Sequence, residues 1–288
     1  MRRIVTERRT RRRSPAHPDP SGSGGVTATP AAARRGTNGG EATISVVIPT
    51  LNEAANLPHV LARLPSWVDE VVLVDGHSVD DTIEVARAIR GDVRVILQDG
   101  RGKGNALACG FAAARGEIIV MLAADASNDP AEITRFVAVL LAGNDFAKGS
   151  RFAPGGRSTD ITGLRRVGNR SLNGLVNALF GTRYSDLCYG YNAFWRHCLP
   201  HMNVTCDGFE VETLINVRVA RAGLAVVEVP SIEHRRLFGE SKLRTLRDGL
   251  RVLRTILSER MRRHDPVVNP DAWRPTFREL QPLWDPES

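Results

Sequence analysis

Ile44-Ser45-Val46-Val47-Ile48, closed by Pro49 and followed by Thr50-Leu51-Asn52-Glu53, decides how the chain is read. The run is mostly β-branched and lacks regular polar alternation. Such a run fits a strand buried on both faces, as in a parallel sheet. Proline then ends it, and Asn52 and Glu53 begin a polar loop at its carboxyl end.

Outward from this strand the pattern alternates. Leu57, Val60, Leu61 and Leu64 have helical spacing, and residues 71–74 form a second apolar run ending in Asp75. A helix is expected over 82–89, a strand over 93–97, and a helix over 106–114 behind Gly100, Gly102 and Gly104. Residues 118–122 read as a fourth strand, which ends at Ala123-Ala124-Asp125, and 133–141 as a helix. Strand–helix alternation implies an α/β fold with a mostly parallel central sheet flanked by helices. In open α/β sheets ligands bind beyond the carboxyl ends of the strands. Asn52, Asp75 and Asp125 all fall there. A second region holds Gly149-Ser150-Arg151, a basic helix from 165 to 179, Asp186, Gly208-Phe209-Glu210-Val211-Glu212, a helix to Ala222 and a strand over 225–229.

The formal net charge of +7 belongs to one end of the 288-residue chain. Residues 1–40 carry nine arginines and two acids, 9 − 2 = +7, which leaves 30 basic and 30 acidic residues elsewhere. Residues 1–42, rich in Arg, Pro, Ser, Gly and Ala, are expected to be disordered. A basic pI that describes a tail gives no case for a nucleic-acid partner. Cys109, Cys188, Cys198 and Cys206 have no CxxC spacing, so buried free thiols are expected rather than zinc. No run reaches the roughly 18 apolar residues of a membrane span.

The glycine loop Gly100-Arg101-Gly102-Lys103-Gly104 has neither GxGxxG nor GxxxxGK[ST] spacing. The better match is to a family. Residues 45–53, Val74-Asp75-Gly76-His77-Ser78-Val79-Asp80-Asp81-Thr82 and Arg101-Gly102-Lys103-Gly104-Asn105-Ala106 resemble successive signatures of family 2 glycosyltransferases. Gly208-Phe209-Glu210-Val211-Glu212, Glu228-Val229-Pro230-Ser231 and residues 236–243 resemble the closing motifs of its polyprenyl-phosphate mannose and glucose synthase branch. The resemblance implies a GT-A-like domain over 43–243. It also implies an inverting transfer of a hexose from a UDP- or GDP-sugar donor to a polyprenyl phosphate.

The resemblance also implies roles. Pro49, Asn52, Glu53, Asp75, Lys103 and Asp125 would line the nucleotide-sugar pocket. Read from chemistry alone, Asp75 is either a base- or ribose-binding acceptor or a turn residue. Glu53 is either a pocket residue or a first-turn helix acid, and Lys103 either a diphosphate-binding cation or a surface lysine. The family's Asp-x-Asp metal motif reads Ala123-Ala124-Asp125, so Asp125 alone remains to hold Mg²⁺ or Mn²⁺. Asp129, before Pro130, reads as a helix cap instead. Arg151, Arg165, Arg170, Arg236 and Lys242 match the branch's basic positions, where they would hold the acceptor phosphate; Asn169 stands where that branch has Ser. Asp125, Asp186 and Glu212 are the expected catalytic acids, with Glu210 a weaker match.

Leu243, Leu246, Leu250, Leu253 and Leu257 recur at 3 and 4 residues among five arginines. A basic amphipathic helix over 244–264 is expected, either lying on an anionic membrane surface or packed on protein. That places the protein in the cytoplasm or peripherally on the inner membrane face. Residues 265–288 read as a tail. Two rivals remain: transfer to a saccharide or small-molecule hydroxyl, and an inactive sugar-nucleotide-binding protein.

Overall fold

The computed structural model describes residues 41–241, 243–262 and 277–280. The expected disordered segment therefore lies outside the described residues, except Glu41 and Ala42. Along the chain run β1 Ile44–Thr50, α1 Leu57–Leu61, β2 Glu70–Asp75, α2 Thr82–Ile89, β3 Arg94–Gln98 and α3 Gly102–Ala113. Next come β4 Ile118–Met121, α4 Ile133–Leu141, β5 Phe146–Ser150, β6 Arg157–Ser158, α5 Gly163–Phe180 and β7 Asn192–Trp195. The last are α6 Leu199–Met202, α7 Val211–Arg221, β8 Val226–Pro230, β9 Ile232–Glu233, α8 Thr245–Met261 and β10 Phe277–Leu280.

Eight strands form one sheet in the order β10-β3-β2-β1-β4-β7-β5-β8. Four of the five strands read from sequence make its parallel centre, β1 lying between β2 and β4. The register pairs Thr50 with Asp75, which brings the first two polar loops side by side. β1 is buried along nearly its whole length because helices cover both faces. Ile44, Val46 and Ile48 face one core with Leu57, Val60 and Phe136, whereas Val47 faces the other with Leu107, Phe111 and Ile215.

Three strands of this sheet were not legible. β5 reads Phe-Ala-Lys-Gly-Ser, yet all five residues are buried. Lys148 at its centre is fully covered, its charge met by Glu228 Oε1 at 2.9 Å. β7 runs antiparallel between β4 and β5. β10 corrects the reading of residues 265–288 as a tail: it adds an antiparallel edge to β3, clamped by Arg94 to Glu279 at 2.7 Å.

The basic helix α5 starts at Thr162, whose hydroxyl accepts from the Arg165 N–H, and stops at Gly181 with φ 68°. α8 buries Asp248, Val252, Ile256 and Glu259, not the leucine row. Val252 and Ile256 join Val176, Tyr184, Leu187 and Val217 in a third core, and Glu259 pairs with Arg218 at 2.8 Å. Three of the five leucines point outward, Leu246 78% exposed, Leu250 56% and Leu257 45%, while Leu243 and Leu253 are half-buried. No described helix is long and apolar enough to cross a membrane. The four cysteines are free thiols. Burial pushes Cys109 up to about 11 and Cys188 to about 12.

Candidate active site

The loops after β1 and β2 are stitched together. Asn52, in the left-handed region at φ 54°, donates its N–H to Ser78 Oγ and accepts from the Val79 N–H through Oδ1, both at 2.8 Å. Its short polar side chain tolerates that backbone. Asp75 is 1% exposed. Its carboxylate accepts from Ser78 N at 2.8 Å and Ser78 Oγ at 2.6 Å. Asp75 thus holds the turn as well as facing the strand ends. Pro49 pairs in register with Val74 one step earlier.

Glu53 is drawn in from the start of the next segment. Its N–H donates to Thr82 Oγ1 at 2.9 Å, and its carboxylate accepts from Asn56 Nδ2 at 2.7 Å. Arg236, far along the chain, bridges Glu53 and the end of β4. Its Nη1 reaches Glu53 Oε1 at 3.2 Å and its Nη2 reaches Asp125 Oδ2 at 2.8 Å. The other Asp125 oxygen accepts from the Ser127 N–H at 3.0 Å. Asn56 fastens the same closing segment, bonding both the N–H and the carbonyl of Phe238. Asp129 caps its helix through the Ala131 N–H, matching the capping role read for it.

The glycine loop packs on protein. A Cβ at Gly104 would lie 2.0 Å from the Cys206 carbonyl oxygen, and one at Gly102 2.2 Å from that of Asp207. Gly104 N–H donates to Asp207 O at 2.9 Å. This contact seats Lys103 on Glu212, in the first turn of α7, at 2.5 Å. Lys103, expected at the donor diphosphate, and Glu212, an expected catalytic acid, are therefore one ion pair.

Asp186, an expected catalytic acid, is drawn into an ion pair. It is fully buried, and Arg151 grips it with Nε at 2.7 Å, Nη2 at 3.0 Å and its backbone N–H at 3.1 Å. Asn169 Nδ2 adds a fourth bond at 3.0 Å. Burial alone would raise this carboxyl, but the Arg151 hydrogen bonds and charge, with Lys148 nearby, hold it below the usual carboxylate range. A carboxylate so engaged holds Arg151 in place. Arg151 in turn is no free cation, since Nη1 also meets Glu233 at 3.1 Å.

The other expected cations separate. Arg170 lines a cleft of about 470 Å³ with Arg151, Arg157, Arg166, Phe152 and Ser158. Arg157 and Arg166 were missed, although the Arg165-Arg166 doublet was visible; Arg166 lies 5.8 Å from the Phe152 ring centre. Arg165 turns away to Ser241 Oγ and the Leu243 carbonyl. Lys242 lies outside the described residues. Glu210 leaves Oε2 buried without a hydrogen-bond partner among the described residues.

Residues 45–201 match the Glycosyl transferase family 2. The chain belongs to this family. Its similarity to glycosyltransferase AglJ of Haloferax volcanii is 32% identity, over 72% of this chain and 68% of that one. With the polyprenol monophosphomannose synthase of Mycolicibacterium smegmatis it shares 32% identity, over 69% and 80% of the two chains. Among solved structures, glucosyl-3-phosphoglycerate synthase of Mycobacterium tuberculosis superposes with a TM-score of 0.62 at 27% identity, covering 80% of this chain and 82% of that one. That enzyme was crystallised with Mn²⁺ and UDP, and also with Mg²⁺ and UDP. The chain is a glycosyltransferase with a GT-A-like fold.

A divalent ion is what the family implies for Asp125. The donor set here is sparse: Ala123 has no carboxylate, and both Asp125 oxygens have partners. Among the described residues no three His, Cys, Asp or Glu side chains gather to hold a metal. These residues do not fit a tight divalent site.

Proposed function

We propose that this glycosyltransferase moves a hexose from a nucleoside diphosphate sugar to a polyprenyl phosphate, with inversion at the anomeric carbon. The observation that carries the acceptor choice is the fate of Asp186. A hydroxyl acceptor needs a base to take its proton. Asp186 has both oxygens engaged by Arg151 and Asn169, and Glu212 is ion-paired to Lys103. A phosphate acceptor is already an anionic nucleophile and needs cations instead. The cleft of Arg157, Arg166 and Arg170 supplies them. The polyprenol-linked relative supports the same choice.

In this reading the donor lies across Asn52, Glu53, Asp75 and Asp125 at the strand ends. The family's Mn²⁺ or Mg²⁺ would fall at Asp125, whose two oxygens are already engaged by Ser127 and Arg236. The acceptor reaches the protein from a membrane. The exposed leucine row of α8, with Arg247, Arg254 and Arg260 exposed beside it, suits peripheral contact with an anionic lipid surface.

The test is sugar transfer by purified protein. UDP-[¹⁴C]glucose or GDP-[¹⁴C]mannose is incubated with short-chain polyprenyl phosphate, and label is followed into the organic phase. Label that is lost in Arg166→Ala/Arg170→Ala supports the reading. Label that reaches only water-soluble hydroxyl acceptors refutes the lipid-phosphate acceptor.

A further inference from the structure

The carboxyl ends of β1 and β4 bring two acids to one guanidinium. Arg236 Nη1 lies 3.2 Å from Glu53 Oε1 and its Nη2 2.8 Å from Asp125 Oδ2. Its side chain keeps 20% exposure, as does that of Asp125. Lys103, the other expected donor-binding cation, is bound to Glu212. Mg²⁺ demands a near-octahedral oxygen shell and gives up water reluctantly. Here it would find one carboxylate in the 123–125 loop, and it would have to displace a charge-assisted bond to use it. Guanidinium carries five N–H donors in a planar fork. The two bonds to Glu53 and Asp125 leave three for phosphate oxygens, a match to a diphosphate that a single point charge lacks.

We propose that Arg236, seated on Asp125, supplies the positive charge that neutralises the departing nucleoside diphosphate, so that this chain binds its donor without a required divalent ion. The inference rests on the donor site described under the proposed function. In the transfer step the bond from the anomeric carbon to the diphosphate oxygen breaks, and its electron pair stays on that oxygen. The acceptor oxygen bonds to the same carbon from the opposite face. No proton has to be removed when the acceptor is a phosphate dianion, or a monoanion that attacks through an oxygen carrying no proton. Arg236 stays protonated and faces the charge that accumulates on the leaving group. Asp125 holds the guanidinium in place and does not act as a metal ligand.

The test is calorimetric titration of UDP and of GDP into the full chain, once in EDTA and once in Mn²⁺. The expected result is that at least one nucleotide binds in EDTA within about threefold of its affinity in Mn²⁺, a difference under ~0.7 kcal/mol. Arg236→Ala should weaken binding in EDTA by at least about tenfold. Binding that requires Mn²⁺ in the wild type overturns the inference and leaves the donor site standing, with Glu53 and Asp125 then opening to hold the ion. Undiminished binding by Arg236→Ala in EDTA also overturns it. If neither nucleotide binds under either condition, the donor-site reading fails together with the inference.

Discussion

Lys103 and Glu212 are 109 residues apart in the chain and meet at 2.5 Å beneath Gly190. A Cβ at Gly190 would stand 2.8 Å from Lys103 Nζ and 3.0 Å from Glu212 Oε1. The backbone at 190 therefore leaves room for the pair, which joins the glycine loop of α3 to the start of α7. Glu212 is nearly covered, its side chain 6% exposed, while Lys103 keeps 24%.

Removing the lysine charge leaves Glu212 buried without its partner. Lys103→Met is expected to cost about 1–3 kcal/mol of stability, the range for an orphaned buried acceptor. Lys103→Met/Glu212→Gln should recover part of that loss, because the stranded charge is gone. Urea denaturation of the two variants checks this. A double variant no more stable than the single one would show that Glu212 is not the group left stranded.

Asp186 gives a pH dependence. Its carboxyl lies below the ordinary 3.8 in the folded protein, and the counter-charge is Arg151. A carboxyl depressed by folding contributes stability that is fully present above its unfolded value and is lost as pH falls through the folded one. The contribution should therefore disappear only below about pH 4. Asp186→Asn, which breaks a buried pair, is expected to cost about 3–5 kcal/mol at neutral pH. The gap to wild type should narrow as the medium is acidified below pH 4. Thermal unfolding from pH 3 to 7 measures it; a constant gap would mean that Asp186 acts only by shape.

The centre of the fold was legible because parallel strands covered on both faces read as uninterrupted apolar runs, as residues 44–48 and 71–74 do. β5 was not, because its central residue is a lysine whose burial depends on Glu228, 80 residues away. β7 and β10 take their place from antiparallel partners distant in sequence. At the site, motifs marked Asn52, Asp75 and Asp125 correctly as strand-end residues. They were silent on pairing. That Arg151 belongs to Asp186, and Arg236 to Asp125 and Glu53, follows from loop closures that no local spacing encodes.

The glycine loop makes a packing prediction. A methyl group at residue 104 would meet the Cys206 carbonyl at 2.0 Å, a backbone atom that no rotamer change can move. Gly104→Ala must shift the 206–207 segment or the first turn of α3, and overpacking of this kind costs about 1–3 kcal/mol. Because the shift also carries Lys103 away from Glu212, it should add the loss of that ion pair to the packing cost. Gly174→Ala in α5, where nothing lies within 4 Å, is the matched control and should be neutral or slightly stabilising. Equal melting temperatures for the two variants would count against the contact.

The two faces of α8 should separate stability from lipid contact. Val252 is 5% exposed and packs in the third core, whereas Leu246, Leu250 and Leu257 stand in solvent. Val252→Ala should therefore destabilise the fold without changing the surface. Leu246→Ser/Leu250→Ser/Leu257→Ser should lower the melting temperature less per residue than Val252→Ala does, since those side chains keep 45–78% exposure. If the row enters the headgroup boundary, each leucine contributes up to about 1.5–3 kcal/mol to binding. Even partial insertion makes the triple variant at least about tenfold weaker on anionic vesicles. Co-sedimentation with vesicles containing phosphatidylglycerol, against neutral vesicles, reads this directly. Binding that needs the arginines but ignores the leucines would make the contact purely electrostatic. A triple variant that loses as much per residue as Val252→Ala would mean that the row packs on protein after all.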